Sequence, residues 1–205
     1  MFNYIYQLTY PKKINVVYSN LDLKEDLIVR PKYLSLCHAD QRYYQGNRDI
    51  GVLKKKLPMA LIHEACGEVV YDKSNTYKKG QYVVFIPNVE GIKRTDENYE
   101  NYTKNGKFLS SGCDGFMREL VNISKERVVP FDNKIVSPKI ASTTEFISVC
   151  VHIADRLTNS KPITKKNIGV WGDGSLSYTM CNVLSKLLPE SNIVVVGKHL
   201  DKMSN

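Results

Sequence analysis

The sequence has no C-x-x-C pair: Cys37, Cys66, Cys113, Cys150 and Cys181 stand singly and in odd number. That argues against a disulfide framework and fits a reducing cytosol. No apolar run approaches the ~20 residues of a membrane-spanning helix. Met1 to Leu8 also lacks the basic region, apolar stretch and cleavage site of a signal peptide. The expectation is a cytoplasmic protein without a membrane partner. Helix-turn-helix spacing, zinc-finger spacing and the aromatic strand signature of RNA binders are missing too, so no nucleic acid is expected. The formal net charge of +8 is spread along the chain, with Lys and Arg interleaved among acids. Phosphorylated small molecules suit that pattern better than a polyanion. Finally, His63-Glu64-Ala65-Cys66-Gly67 has glycine where the H-E-x-x-H protease motif needs its second histidine.

What is present is 205 residues, 42% hydrophobic against 24% charged, enough for a packed core. Tyr4 to Leu8, Ile14 to Tyr18 and Leu27 to Arg30 read as short strands, and Pro31 opens a further apolar alternation that delivers Cys37 and Asp40. Gln41 to Lys56 is polar, basic and aromatic, a loop or short helix over a site. The Leu57 to Val70 run carries His63-Glu64, and Gly67 there lets the chain turn away into the next strand. Gln81 to Ile86 is a strand, Glu90 to Phe108 a charged excursion poor in aliphatics, Phe116 to Val121 a return, and Arg127 to Pro130 an edge strand. Ser137 to Arg156 has helical spacing and carries Glu145 and His152; Lys161 to Lys166 is a basic linker.

Asn167 to Trp171, Gly172-Asp173-Gly174, Leu176 to Leu188 and Ile193 to Val196 then make a strand, glycine turn, helix and strand, a βαβ unit. The turn points helix-start amides, at Ser175 and Leu176, toward a pyrophosphate. Ser177 occupies the place of the fingerprint's third glycine. After the second strand, Gly197, Lys198 and His199 stand where NAD sites carry an acid, which favours a 2′-phosphate and hence NADPH; plain solvated residues are the other reading. Cys37, His63, Glu64 and Glu145 offer the donor types of a Zn²⁺ site, but they are far apart, and alone Cys37 reads as a core thiol and Glu145 as a helix-surface acid.

In this order the motifs resemble the medium-chain zinc-dependent dehydrogenases. Cys37-His38-Ala39-Asp40-Gln41-Arg42-Tyr43-Tyr44-Gln45-Gly46, Leu57-Pro58-Met59, His63-Glu64, Ser110-Ser111-Gly112 with Asp114-Gly115-Phe116-Met117, and Trp171-Gly172-Asp173-Gly174 are similar to the ribulose-5-phosphate reductases. The resemblance implies an α/β chain: a β-rich GroES-like catalytic domain at residues 1–138, then the truncated start of a Rossmann dinucleotide-binding domain at 139–205. It implies Zn²⁺ on Cys37, His63, Glu64 and Glu145, and NADPH on Gly172, Gly174, Ser175, Leu176, Lys198 and His199. It further implies reduction of ribulose 5-phosphate to ribitol 5-phosphate for CDP-ribitol and teichoic acid or capsule synthesis, a homo-oligomer at full length, and a complex with a ribitol-5-phosphate cytidylyltransferase. Asp40 is expected to support the Cys37 loop, and Arg42 and Arg48 to meet the substrate phosphate. Two departures stand out. Ala39 replaces the hydroxyl proton relay of relatives, and the absence of cysteine between Glu90 and Phe108 excludes their four-cysteine structural zinc. With about two of the roughly six parallel strands of a full dinucleotide sheet, the chain is expected to be inactive alone as a reductase. The competing expectations are a non-catalytic zinc-binding module and a dehydrogenase of unphosphorylated polyols.

Overall fold

The structure is a computed structural model that describes residues 2–21, 27–89, 91, 103–159 and 166–203. Backbone contacts divide it into two units, Met1–Glu145 and Phe146–Asn205.

The first unit is mainly strand. β1 (Phe2–Tyr10) and β2 (Lys13–Asn20) form a hairpin in register Phe2↔Asn20 to Tyr10↔Lys13, and β4 (Met59–Ala60) pairs with β1 on its other side. A five-stranded antiparallel sheet has the order β10 (Val128–Pro130), β6 (Tyr82–Phe85), β5 (Glu64–Asp72), β3 (Leu27–Ser35) and β9 (Val121–Ile123). β7 (Asn88–Val89) pairs with β8 (Lys107–Phe108). Leu27, Ile28 and Val29 of β3 are fully buried, as the continuous apolar run of an interior strand requires. Leu8, Val69, Val83, Phe116 and Val121 join the same core, where Phe85 and Phe116 stack with centroids 4.4 Å apart. Such a pair adds about 0.5–1.5 kcal/mol beyond its area burial.

Several boundaries differ from those the sequence suggests. Pro31 does not separate two strands: β3 runs through it, with a register irregularity between Pro31 and Tyr33. A residue without an N–H fits there because β9 pairs only with Leu27, Ile28 and Val29. Gly67 is no turn either. It lies inside β5, and a Cβ on it would sit 2.5 Å from the Arg30 carbonyl oxygen and 2.8 Å from Val29 Cγ1, so close strand approach is what demands glycine. Gln41 to Lys56 holds parts of two helices, α1 (His38–Gln45) and α2 (Ile50–Lys56), the second capped by the Asp49 carboxylate, which accepts from Gly51 N and Val52 N. Phe116 to Val121 is strand only from Val121 onward. Most of the Glu90 to Phe108 excursion and of the Lys161 to Lys166 linker lies outside the described residues. The single helix expected at Ser137 to Arg156 is α3 (Pro138–Ala141) and α4 (Thr144–Asn159), broken where Ser142 Oγ and Thr143 Oγ1 donate to the carbonyls of Lys139 and Ile140.

In the second unit β11 (Asn167–Trp171), α5 (Ser175–Leu187) and β12 (Asn192–Val196) form the βαβ unit, with the strands parallel in register Asn167↔Asn192 to Trp171↔Val196. Its core joins Cys150 and Ala154 of α4 to Met180 and Leu184 of α5, over Ile168, Val170 and Ile193. α6 (Leu200–Met203) follows. Among the described residues no helix is long and apolar enough to cross a membrane.

Candidate functional site

Strand register brings the distant ligand candidates together. Ser35 pairs with Glu64 at the end of β3 and the start of β5, so Cys37, two residues beyond Ser35, arrives beside His63. Donor atoms of Cys37, His63 and Glu64 lie within 4.8 Å of one another. His63 and Glu64 are buried, at 7% and 3% exposure, and Cys37 is half-buried. Phe108 tilts against the His63 ring at 5.2 Å between centroids.

Asp40 fixes this corner. Only 1% exposed, it accepts from Cys37 N at 3.2 Å, Ile62 N at 2.9 Å and Ser110 Oγ at 2.8 Å. Its Oδ2 stands 3.7 Å from His63 Nδ1, at ion-pair distance though too long for a hydrogen bond. The opposite nitrogen, Nε2, faces Glu64 Oε1 at 3.9 Å. Ile62 has φ of 74°, a conformation β-branched residues avoid at a cost of about 1–3 kcal/mol. The bond from Ile62 N to Asp40, and the Ile62 carbonyl's bond from Phe116 N at 2.7 Å, hold it there and so aim His63.

Glu145, at the start of α4, is not in the 4.8 Å set but feels it electrostatically. Burial first, then the charges of Glu64 and Asp40, push its carboxyl up to about 7. Burial chiefly, with Glu64, Asp40 and Glu145 adding, also raises the Cys37 thiol, against a lowering backbone bond from Ala39. Among the described residues the sole potential cation within ion-pair distance of Asp40 or Glu64 is His63. A half-buried thiol and two buried carboxylates around one imidazole therefore favour a divalent cation electrostatically. Thiolate, imidazole and carboxylate are ligands of Zn²⁺, which keeps a position open in catalytic sites, so the residues present fit the metal.

The glycine turn is built differently. Gly172 has φ of 127°, and its N–H bonds to the Val196 carbonyl at 2.8 Å, joining the ends of both strands. Gly174 precedes α5, and a Cβ on it would meet nothing within 4 Å, so the approach to the amides of Ser175 and Leu176 is open. Ser177 puts its Oγ where a Gly172 Cβ would come within 2.8 Å. With Asp173, Tyr178 and Lys202 these residues border a cavity of about 370 Å³. Asp173 Oδ2 accepts from Lys198 N, His199 N and faces His199 Nδ1. The open glycine cradle fits a dinucleotide pyrophosphate.

Arg42 and Arg48 stand at or beyond the opposite end of α1 from Cys37. Arg42 donates through Nε to the Asn47 carbonyl, and Arg48 lies over the Tyr43 ring at 4.7 Å. His38 is exposed. Sequence reasoning placed Asp40 at the Cys37 loop and Ser110 in a family motif, but nothing in the sequence signalled that Ser110 bonds Asp40 or that Ile62 is left-handed.

The chain belongs to the family of the alcohol dehydrogenase GroES-like domain, whose model matches residues 24–133. Within that class it is similar to the ribulose-5-phosphate reductase of Streptococcus pneumoniae, 49% identical over 205 residues that cover 99% of this chain and 59% of the relative. It is 45% identical to ribulose-5-phosphate reductase 1 of Staphylococcus aureus, over 100% of this chain and 60% of that protein. The crystal structure of S. aureus TarJ in complex with NADPH superposes with a TM-score of 0.79 at 39% identity, covering 100% of this chain and 56% of that one. The chain thus spans about three-fifths of the length of these curated relatives.

Proposed function

We propose that this chain is the metal-binding and coenzyme-turn part of a cytoplasmic, zinc- and NADPH-dependent reductase that converts ribulose 5-phosphate to ribitol 5-phosphate. The observation that supports it most is the cluster of half-buried Cys37 with buried His63 and Glu64, with Asp40 behind it, in a chain so similar to ribulose-5-phosphate reductases. We divide it into a catalytic domain at 1–138 and a coenzyme domain from 139. The product would enter CDP-ribitol synthesis for teichoic acid or capsule, with a ribitol-5-phosphate cytidylyltransferase as partner and self-association of the full-length enzyme.

Cys37, His63 and Glu64 would hold the metal, with Glu145 as the carboxylate next to them. When bound, the two groups supply Lewis-acid polarisation of a ketone carbonyl and a hydride source for its carbon. Asp40 orients His63, the usual task of a carboxylate behind a ligating imidazole. With no hydroxyl at Ala39, a neighbouring acid such as Glu64 would deliver the proton. Gly172, Gly174, Ser175 and Leu176 cradle the pyrophosphate, and Lys198 and His199 face the 2′-phosphate. For the substrate phosphate Arg48 is preferred to Arg42. Its buried Nε has no hydrogen-bond partner among the described residues, and with Lys54 it borders a cavity of about 640 Å³.

The test is zinc content and ligand-induced stabilisation. About one equivalent of zinc is expected in the unmutated chain and background zinc in Cys37→Ser. Ribulose 5-phosphate, but not ribulose, should then raise the melting temperature of the zinc-loaded chain. Equal zinc in both proteins, or equal shifts with both sugars, would overturn the proposal.

A further inference from the structure

The acid that a dinucleotide site of NAD type carries at the end of its second strand is missing here; β12 ends in Val196 and is followed by Gly197, Lys198 and His199. A carboxylate reaches that loop all the same, from the glycine turn. Asp173 Oδ2 takes the backbone N–H of Lys198 at 2.6 Å and of His199 at 2.8 Å, and lies 2.9 Å from His199 Nδ1. Three contacts converge on one oxygen, while the imidazole remains half-exposed, its side chain 55% accessible against 14% for Asp173.

Two consequences follow from this geometry. The loop amides are occupied by Asp173, so an incoming anion must be met by side chains. With Nδ1 turned to Asp173, the ring's Nε2 points away from the carboxylate. Lys198 is exposed beside it, and the Lys202 amide bonds the His199 carbonyl at 3.1 Å, bringing a second lysine's backbone to the same loop. The same bonds, those from His199 N and Lys198 N foremost, hold the Asp173 carboxyl down at about 2, so it is ionised at any working pH.

We infer that Asp173 is a positioning residue for coenzyme choice: by clamping Lys198 and His199 it turns their side chains toward the 2′-phosphate that distinguishes NADPH from NADH. The inference rests on the NADPH reading above and adds to it a residue whose own charge has the same sign as that of the phosphate. A carboxylate beside a phosphate would ordinarily repel it; here its lone pairs are committed to the loop, and its effect is transmitted through the Lys198 and His199 side chains.

Two measurements test it on the whole 205-residue chain. In hydrogen exchange, the amides of Lys198 and His199 should be protected in the unmutated protein and lose protection in Asp173→Ala; unchanged exchange overturns the clamp whatever the coenzyme. In titrations with 2′,5′-ADP and 5′-AMP, Asp173→Ala should lower the ratio of affinities for the two by at least about tenfold, the scale of one charge-assisted hydrogen bond. Asp173→Asn, which keeps an acceptor oxygen but no charge, should fall between. Equal loss for both nucleotides would make Asp173 merely structural, and a rise in the ratio would make it an acid that opposes the phosphate; either result overturns the inference. If the unmutated chain shows no preference for 2′,5′-ADP, the NADPH reading fails and this inference with it, whereas a preference that survives Asp173→Ala leaves that reading standing.

Discussion

The corner around Cys37, His63 and Glu64 and the turn at Gly172 to Gly174 are each organised by one aspartate, and they differ in almost everything else. Asp40 is buried and ties together groups 3, 22 and 70 residues away in sequence. It holds a strained Ile62 in place and stands among other acids. Asp173 is near the surface, binds only the loop 25 and 26 residues on, and acts next to cations. In the first region the protein gathers carboxylate, thiol and imidazole donors largely out of water, an arrangement that suits a cation. The second leaves space and exposed donors, an arrangement that accepts an anion. The two candidate sites thus differ in the sign of the charge each is built to receive.

Breaking the Asp40 hub should have the largest effect. Asp40→Ala leaves Cys37 N, Ile62 N and Ser110 Oγ without their acceptor. At about 1–3 kcal/mol for each buried donor left unsatisfied, a loss of about 3 kcal/mol or more is expected in urea unfolding. Zinc affinity should fall about 10–100-fold, the usual effect of removing a carboxylate behind a metal ligand. A variant as stable as the parent, with unchanged zinc affinity in chelator competition, would mean that the hub organises nothing.

Next in size is Gly67→Ala. The added Cβ would be 2.5 Å from the Arg30 carbonyl oxygen, backbone that cannot rotate away. Overpacking of this kind costs about 1–3 kcal/mol, read as a lower urea midpoint. A neutral result would show that β3 and β5 can separate at the Pro31 irregularity without loss.

How far such features can be read from sequence depends on range. The βαβ unit was legible almost residue by residue, because β11, α5 and β12 are set by local periodicity and by one glycine turn. The candidate donors could be named from the sequence too, but not the meeting of Cys37, His63 and Glu64: it arises from the Ser35↔Glu64 register, and a register is a property of two strands and their neighbours. Gly67 was misread as a turn because glycine signals either a special φ or a close approach, and only the position of Arg30 decides which. Pro31 was misread as a strand boundary because a proline's missing N–H matters only where a partner strand would have used it. Ile62 carries no sequence signal at all: an isoleucine at φ of 74° is disfavoured locally and exists because Asp40 and Phe116 determine it from outside.

The acid-rich character of the first region can be tested through pH. The Glu145 carboxyl is raised in the folded chain to about 7, by burial first and by Glu64 and Asp40 second, against ~4.3 when unfolded. For an acid whose folded value is the higher one, the folded state binds more protons, so its contribution is fully present below ~4.3 and disappears as pH rises through about 7. The metal-free chain should therefore lose stability over that interval, and Glu145→Gln should flatten the profile. Zinc should remove the same slope, since a bound cation favours the carboxylate. A metal-free profile that rises with pH across the interval, or one that Glu145→Gln leaves unchanged, would show that Glu145 is not coupled to the acid cluster.

The smallest effect on stability is expected at Gly174, and that makes it the sharpest contrast with Gly67. Both are glycines beside a proposed site, yet a Cβ at Gly174 meets nothing within 4 Å, and its φ of −92° is open to any residue. Gly174→Ala should therefore unfold within about 0.5 kcal/mol of the parent. An added methyl would nevertheless narrow the open approach to the start of α5, where the proposed site would receive the coenzyme pyrophosphate. NADPH binding should be lost while melting temperature and zinc content remain at the parent's values. If Gly174→Ala binds NADPH as the parent does, the pyrophosphate does not cross this turn, and the open space above α5 has no part in coenzyme recognition.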